Sequence, residues 1–435
     1  MMLDTIVQAL QARSDLKAWS VQQINTRSKQ QYEMPGVTEA LREATGEQYK
    51  VTVLRETPDA EGKPSCGEGV VTLLPGDDPV PALNEAALIA GMVHNPPYNF
   101  PGKAPAPDVE LADPALTVDA GKELEAALKE LRDTAADFPH VRLTAAECFA
   151  DENTTHFINS NGMEAEQTAT LVHLEWVFIA GADGEEVETF VELERRRFAD
   201  LDLKHEVAQR AQYTTDLLEA DPAPMYEGPV IIRNGTLANV LNAQVFKILS
   251  SGSLKFSGET PWEIGKPIFQ GEAKGDPINL YANRKLAYGT KSNRVDASGL
   301  PARRILIIKD NQLAAFTASQ QYADYLGIPA TGAVGNIELE AGSHSAAELL
   351  AGDYVEAAEF SWFNANPISG DFACEMRLGY MVKDGIRTPF KGGMLVGNVI
   401  QMLADAHLSL ETGFYGNYAG PTTARFNQLR VAGQG

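Results

Sequence analysis

The chain has 435 residues, of which 44% are hydrophobic and 22% charged, so its composition excludes a disordered or fibrous protein and its length favours more than one domain. With 36 basic against 59 acidic residues, the formal charge of −23 disfavours a direct, phosphate-driven grip on nucleic acid or on an anionic membrane. The three scattered cysteines (Cys66, Cys148, Cys374) exclude a disulfide framework and indicate a reducing compartment.

The N-terminus has the pattern of a helix in the mature protein. Leu3, Ile6, Val7 and Leu10 recur at helical spacing among polar residues, which is unlike the continuous apolar core of a signal peptide. The most apolar stretch, residues 392–410, is interrupted by polar side chains and falls short of the roughly 18 apolar residues of a membrane span. We therefore expect a cytoplasmic protein.

Strands and one long helix are predicted over the first 135 residues. Alternation at 49–53 and an apolar run at 69–74 predict strands. Six prolines between residues 95 and 114 predict an extended surface connection. From Asp119 to Ala135, leucines at helical spacing predict a helix that Asp119 caps.

The hydrophobic period changes to two between Val141 and Arg197. This pattern predicts an antiparallel meander with a turn at Asn159–Gly162. A helix is predicted to follow at Lys204–Glu219. Strands and helices segregated in this way indicate the α+β fold class, with mixed and antiparallel sheets and a few packed helices.

A proline-rich segment at 221–229 is the predicted domain boundary. We expect an N-terminal α+β domain at 1–224 and a β-rich C-terminal domain at 225–435. Within the second domain, apolar residues at helical spacing predict an early helix over 237–249, and a late helix is expected near 398–407.

The usual catalytic signatures are absent from the sequence, including GxGxxG, GxxxxGK[ST] and GxSxG. His205 and Glu206 begin a near-match to HExxH, but Gln209 replaces the second His and an amide is a poor zinc ligand. We interpret this stretch as a solvated helix face. His173 and Glu175 share a strand face, which we interpret as a polar pair on a half-exposed sheet.

Several stretches of the chain resemble the TldD/PmbA family, and they follow the family's order. Four lie between residues 366 and 398 and three precede them. The stretches are Asn159–Gly162, Tyr281–Leu286, His344–Leu349, Asn366–Phe372, Leu378–Tyr380, Lys383–Gly385 and Gly393–Asn398.

The resemblance implies a two-domain cytoplasmic protein that is one half of a heterodimeric zinc metalloprotease, composed of a TldD-type and a PmbA-type (TldE-type) subunit. The family's active subunit carries HExxxH and a C-terminal Cys ligand. Here Asn242, Ala243 and Lys247 occupy the HExxxH positions, and Tyr415 occupies the Cys position. The resemblance thus implies no catalytic or metal-binding residue and no cofactor in this chain, with zinc in a TldD-like partner.

Helix geometry bears on these positions. With about 3.6 residues per turn, residues five apart lie about 140° apart around an ideal helix, so an HExxxH pair can share an ion only if the helix is interrupted. Residues 242–247 contain no Gly or Pro. We therefore expect an uninterrupted helix through Asn242 and Lys247.

Three functional hypotheses follow. The first is a PmbA/TldE-like subunit, inactive by itself, that binds unfolded peptides by strand addition and binds neither nucleic acid nor membrane directly. The second is a divergent stand-alone metallopeptidase using His205 and Glu206. The third, from the family's description as a modulator of DNA gyrase, is an interaction protein.

Overall fold

Long antiparallel strands build the first sheet, in the order β3-β2-β1-β4-β5-β6. The computed structural model describes residues 2–35, 37–182, 184–242 and 244–433. Val172, Leu174, Trp176 and Phe178 are all buried on one face, so the predicted two-residue period is confirmed. The strands are β1 (Ala18–Met34), β2 (Val37–Pro58), β3 (Pro64–Leu73), β4 (Val141–Asn159), β5 (Glu164–Ala182) and β6 (Glu185–Arg195).

The predicted turn between β4 and β5 is confirmed, and one asparagine holds it closed. Asn159 Oδ1 accepts hydrogen bonds from the backbone N–H groups of Asn161 and Met163, both at 2.9 Å. Gly162 adopts a φ of +82°, which a residue with a side chain rarely does. This family-like stretch is therefore explained by turn geometry.

Two pairs of helices cover the buried face of the first sheet. The first pair packs over Val21, Val51 and Val53, and the second pair over the apolar residues of β4 and β5. The helices are α1 (Met2–Gln11), α2 (Pro79–Met92), α3 (Pro114–Ala135) and α4 (Leu203–Glu219), with a 3₁₀ turn at Phe198–Asp200. Residues 96–113 contain neither helix nor strand, as the prolines predict.

The helix predicted to begin at Asp119 begins earlier. Asp113 caps α3, and Pro114 occupies its first turn, where a missing N–H costs nothing. Asp119 lies inside the helix at φ −154° and ψ 84°, and its Oδ1 accepts from Lys122 N at 3.1 Å. The predicted cap thus exists, but at a kink within a longer helix.

The C-terminal half contains short strands and short helices. Its strands are β7 (Asp221–Pro222), β8 (Tyr226–Arg233), β9 (Leu280–Asn283), β10 (Arg304–Lys309), β11 (Gln312–Leu313), β12 (Asn336–Leu339), β13 (Tyr354–Phe360), β14 (Asp371–Lys383), β15 (Ile386–Lys391), β16 (Met394–Asn398), β17 (Ala406–Leu408), β18 (Thr412–Phe414), β19 (Tyr418–Pro421) and β20 (Thr423–Ala432). Its helices are α5 (Asn234–Leu241), α6 (Gln244–Leu249), α7 (Gly252–Ser257), α8 (Gln320–Leu326), α9 (Ala346–Leu349) and α10 (Val399–Met402), followed by a 3₁₀ turn at Leu403–Asp405. The fold is therefore α+β, as predicted.

These strands form two sheets around one core. One sheet runs β11-β10-β9-β12-β19-β18 and leaves β11 and β18 as edges. The other runs β13-β8-β20-β16-β14-β15-β7, and β13 also pairs with β14, so its first five strands close into a ring. Buried side chains of both sheets and of α5 and α6 meet in the core, including Ile232, Leu241, Phe246, Ile307 and Leu395.

One buried guanidinium joins the N-terminal sheet to the C-terminal half. Arg196, directly after β6, is 6% exposed and donates five hydrogen bonds to carbonyl oxygens, and burial lowers its pKa to about 10. The acceptors are Leu111 O (3.4 Å), Thr170 O (3.1 Å), Gly289 O (2.8 Å), Thr290 O (3.2 Å) and Ser292 O (2.8 Å). Three of these carbonyls belong to the C-terminal half.

A search of the helices in the described ranges finds none with the length and apolar character needed to cross a membrane.

Candidate functional site

The helix is interrupted between α5 and α6, at the positions that the resemblance assigns to the active subunit's motif. α5 ends at Leu241, with Asn242 as its C-cap at φ −88° and ψ 12°, and α6 begins at Gln244. The uninterrupted helix expected through residues 242–247 is therefore wrong. Ala243, which stands at the family's Glu position, lies outside the described residues.

Asn242 carries an unsatisfied acceptor at this interruption. Its backbone N–H donates to Ala238 O at 2.8 Å and so completes the last turn of α5. Its side-chain Oδ1 is buried and has no hydrogen-bond partner among the described residues. A buried acceptor without a donor costs about 1–3 kcal/mol, so this oxygen is available to a donor from water or from a bound molecule.

Lys247 lies on α6 and is half-buried, at the position that the resemblance assigns to the second His of the active subunit's motif. Burial, followed by the nearby Lys291 ammonium, lowers the pKa of Lys247 to about 8. Within the described ranges, no carboxylate forms an ion pair with Lys247. When protonated, this amine repels a divalent cation and has no lone pair, so it cannot serve as a metal ligand.

Tyr415 lies in the turn between β18 and β19 and points to the start of α5. Its hydroxyl donates to Asn234 Oδ1 at 3.2 Å. Asn234 and Asn242 stand at opposite ends of α5, about 12 Å apart at 1.5 Å per residue. The structure therefore brings Tyr415 to the N-terminal end of α5, whereas Asn242 and Lys247 flank the interruption that follows this helix.

Charged residues of both halves lie near Tyr415. Burial, and next the Glu206 carboxylate, raise the pKa of Tyr415, while Arg195 and Arg233 oppose the shift. The phenol therefore stays protonated near neutral pH and serves as a donor. A Cys thiolate at this position would carry a negative charge and could bind a metal ion, whereas the phenol is neutral at pH 7.

Replacing Tyr415 with Phe is expected to lower the free energy of unfolding by about 1 kcal/mol. The change removes the hydroxyl that Asn234 accepts from and leaves the ring packing intact. Urea denaturation measures this difference, with Tyr281→Phe as control because the Tyr281 hydroxyl bonds Glu340 at the exposed surface. Equal losses in both variants would contradict a special role for the buried contact.

The near-match at His205 and Glu206 occupies the first turn of α4. Asp202 caps this helix by accepting from His205 N at 3.3 Å, and the His205 side chain is exposed. In the described part of the chain, His205 belongs to no group of three ligand-type side chains. Glu206 contributes through its charge near Tyr415 and not as a partner of His205.

His173 and Glu175 form the expected polar pair on the open face of the first sheet. His173 Nε2 lies 3.3 Å from Glu175 Oε2, and the imidazole stacks on Phe149 with ring centroids 5.3 Å apart. Glu192 approaches the other ring nitrogen at 3.8 Å. These contacts account for the residues at this position.

The family-like stretch Asn366–Phe372 has a framework role. Asn366 Oδ1 accepts from the backbone N–H groups of Ile368 and Ser369 at 2.9 Å. Asn398 caps α10 and also donates to Ser369 O at 2.8 Å, so it fastens this turn to the end of β16. The strongest motif in the sequence therefore identifies the fold and not a reacting group.

Arg284, in the stretch Tyr281–Leu286, is likewise structural. It is 2% exposed, pairs with Asp296 at 3.3 Å and donates to Pro301 O at 3.0 Å and Thr331 O at 3.3 Å. Asn234, which accepts the hydrogen bond from the Tyr415 hydroxyl, was not predicted from the sequence. Its signal was the Asn-Gly pair at the start of α5, since Asn234 adopts a φ of +50°.

Comparison with known proteins agrees with this geometry. Residues 226–433 match the family model of the PmbA/TldA metallopeptidase C-terminal domain, and residues 107–215 match that of the central domain. An uncharacterised protein of Methanocaldococcus jannaschii is 24% identical over 304 residues, which cover 67% of this chain and 70% of that protein.

Solved structures share the whole fold at low sequence identity. TldE from Thermococcus kodakarensis superposes with a TM-score of 0.82 at 16% identity, covering 99% of this chain and 100% of that one. A proposed modulator of a DNA gyrase from Thermotoga maritima gives 0.83 at 19% identity, covering 99% of each chain. With both family models matched in order and the fold shared from end to end, the chain belongs to the TldD/PmbA family of metallopeptidase-type proteins.

Proposed function

We propose that this chain is the PmbA/TldE-like subunit of a cytoplasmic heterodimeric zinc metalloprotease that degrades or processes unfolded peptides. The zinc and the hydrolytic step belong to a TldD-like partner. The observation that supports the proposal is the end of α5 at Asn242: the helix is interrupted, as an HExxxH pair requires, and the resemblance assigns Asn242 and Lys247 to the two His positions.

The side chains at these positions suit a peptide better than a catalytic metal. Asn242 Oδ1 is a buried acceptor without a donor, and Lys247 is a donor without an ion-pair partner in the described ranges. An extended peptide presents alternating N–H and C=O groups that match such a donor and acceptor. In this proposal the two side chains contact substrate backbone.

In this proposal strand addition takes place at an edge of the C-terminal half. The closed ring of β13, β8, β20, β16 and β14 offers no free edge, whereas β18 ends the other sheet. Thr412 on β18 is exposed, and Tyr415 follows directly after this strand. The proposal therefore has an extended peptide pairing with β18, beside the family's Cys position.

The test is co-expression with a TldD-like subunit from the same source. We expect the two chains to co-purify and to cleave an unfolded polypeptide such as reduced, alkylated casein, while neither chain alone does so. Changing the His ligands of the TldD-like subunit should abolish activity of the pair. Cleavage by this chain alone would overturn the proposal.

The same material decides between the alternatives. A stand-alone metallopeptidase that uses His205 would lose activity in His205→Ala, whereas our proposal expects no change because that imidazole is exposed and belongs to no ligand group in the described ranges. The gyrase-modulator alternative comes from the description of the Thermotoga maritima relative. Recovery of gyrase instead of a TldD-like chain in a pull-down would favour that alternative.

A further inference from the structure

Three ligand-type side chains meet away from the interruption after α5. One ligand atom from each of Asp276, His344 and His407 lies within 4.8 Å of the others. Asp276 is 8% exposed, and the two imidazoles are half-buried. More than sixty residues separate each from the next in sequence, so only the fold brings them together.

The backbone around this group is packed too closely for ordinary side chains. A Cβ added at Gly275 would stand 2.2 Å from the carbonyl oxygen of Ala406, and one at Gly342 would stand 2.1 Å from that of Leu408. Two glycines therefore allow the segments that carry Asp276 and His344 to lie directly against β17. The positions of the three side chains are thus fixed by close backbone contacts.

The carboxylate of the group is oriented by its neighbours. Asp276 Oδ1 accepts from Ser343 Oγ at 2.6 Å, and Oδ2 accepts from Leu408 N at 2.7 Å. Each carboxylate oxygen has a second lone pair, so these hydrogen bonds orient the carboxylate and still leave it able to bind an ion. Its buried position also requires a positive partner or a complete set of donors.

The imidazole of His407 lies beside a second carboxylate. His407 Nε2 lies 3.7 Å from Asp405 Oδ1, and Asp405 is itself held because its Oδ2 accepts from Asn427 N at 2.9 Å. A carboxylate beside one nitrogen of a ligating His orients the ring and raises its basicity in protein zinc sites.

We infer that Asp276, His344 and His407 bind a divalent ion of the zinc class. Two imidazole nitrogens and one carboxylate oxygen are a ligand set that zinc accepts, with water in the fourth position. Tetrahedral ligands about 2.0–2.1 Å from the ion stand about 3.4 Å from one another, so binding needs a small inward rotation of the imidazoles. The ion would cross-link residues 274–276, 342–344 and β17.

This site is independent of the proposed peptidase role, because its residues do not include Asn242, Lys247 or Tyr415. The expectation that this chain binds no metal therefore applies only to Asn242, Lys247 and Tyr415. Since binding is measured on the isolated full-length chain, failure of this inference and failure of the proposed function are distinguishable.

The experiment is titration of the tag-free, EDTA-treated chain with Zn²⁺ by calorimetry and with Co²⁺ by visible absorption. We expect one equivalent to bind and to raise the melting temperature, since an ion that binds only the folded state stabilises it. His344→Ala and His407→Ala should each weaken binding by more than about 100-fold, and Ser343→Ala by roughly 10-fold, as for an outer-shell partner.

The matched control is His173→Ala, because His173, Glu192 and Glu194 are the other group with ligand spacing in the described ranges. This variant should bind Zn²⁺ as the wild type does. Metal-free melts of all variants establish that each one folds. Stoichiometric binding that survives loss of His344 and His407, or that is lost with His173, would overturn the inference, as would a chain that binds no equivalent.

Discussion

Replacing Arg196 with Met is expected to lower the free energy of unfolding by about 3 kcal/mol or more. The substitution keeps most of the apolar stem and removes all five donors, so five carbonyl oxygens lose a donor at once, of which Leu111 O and Gly289 O keep a backbone N–H donor. Three of those carbonyls lie at residues 289–292 in the C-terminal half, so contact between the halves is weakened as well. The midpoint of urea denaturation measures the loss.

The control for this prediction is Arg142→Met on the first sheet. Arg142 has a side chain that is 56% exposed and pairs with Glu186, and exposed ion pairs contribute about 0–1 kcal/mol. Arg196→Lys tests the geometry separately, because an ammonium keeps the charge but cannot reach acceptors in a planar fork. If Arg196→Met unfolds at the same urea concentration as Arg142→Met, the buried guanidinium makes no net contribution.

Replacing Lys247 with Met is expected to raise the free energy of unfolding by about 2 kcal/mol at pH 7. Burial and Lys291 lower the pKa of Lys247 in the folded state to about 8, whereas the unfolded chain has the ordinary value of 10.5. At pH 7 the folded state must therefore hold a charged amine in an unfavourable place. An apolar side chain of similar length removes that cost and keeps the packing of α6.

The stability difference between Lys247→Met and the wild type is expected to depend on pH. Between about pH 8 and 10.5 the unfolded chain binds more protons at Lys247 than the folded chain does, so wild-type stability rises with pH over this window. Below pH 8 the penalty is present in full. We expect the advantage of Lys247→Met to shrink from pH 7 to pH 10, as followed by urea denaturation.

Lys50→Met is the matched control, since Lys50 is exposed on β2 and its removal should alter stability little at either pH. A Lys247→Met variant that is less stable than the wild type would contradict the lowered pKa. Lower stability at a functional position is a common cost of activity, which agrees with the substrate contact proposed for Lys247.

Local patterns of the sequence predicted the first sheet well. The alternation from Val172 to Phe178 appears directly as burial, because a strand with one covered face has a two-residue period. The turn at Asn159–Gly162 was equally predictable, since its hydrogen bonds and its positive φ involve residues four or fewer apart. Structure that depends on contacts between residues close in the chain can be predicted from a single sequence.

Contacts between distant segments were not predictable. No Gly or Pro near Asn242 indicates the interruption of the helix in the sequence. The buried residues of α5 and α6 pack in a core shared with both sheets, and such long-range contacts are not visible in a local pattern. His344 and His407 are neighbours only because residue 344 forms a bridge with Ser409, next to the end of β17. Closure of the ring through β13 and β14 is long-range in the same way.

The interruption after α5 also indicates what gives the family's site its shape. Here α5 ends at Asn242 although the resemblance assigns an amide and an amine to the two His positions. We therefore expect the interruption to come from the scaffold and not from coordination. A relative with His at these positions could fold first and load its ion afterwards, without reshaping the chain.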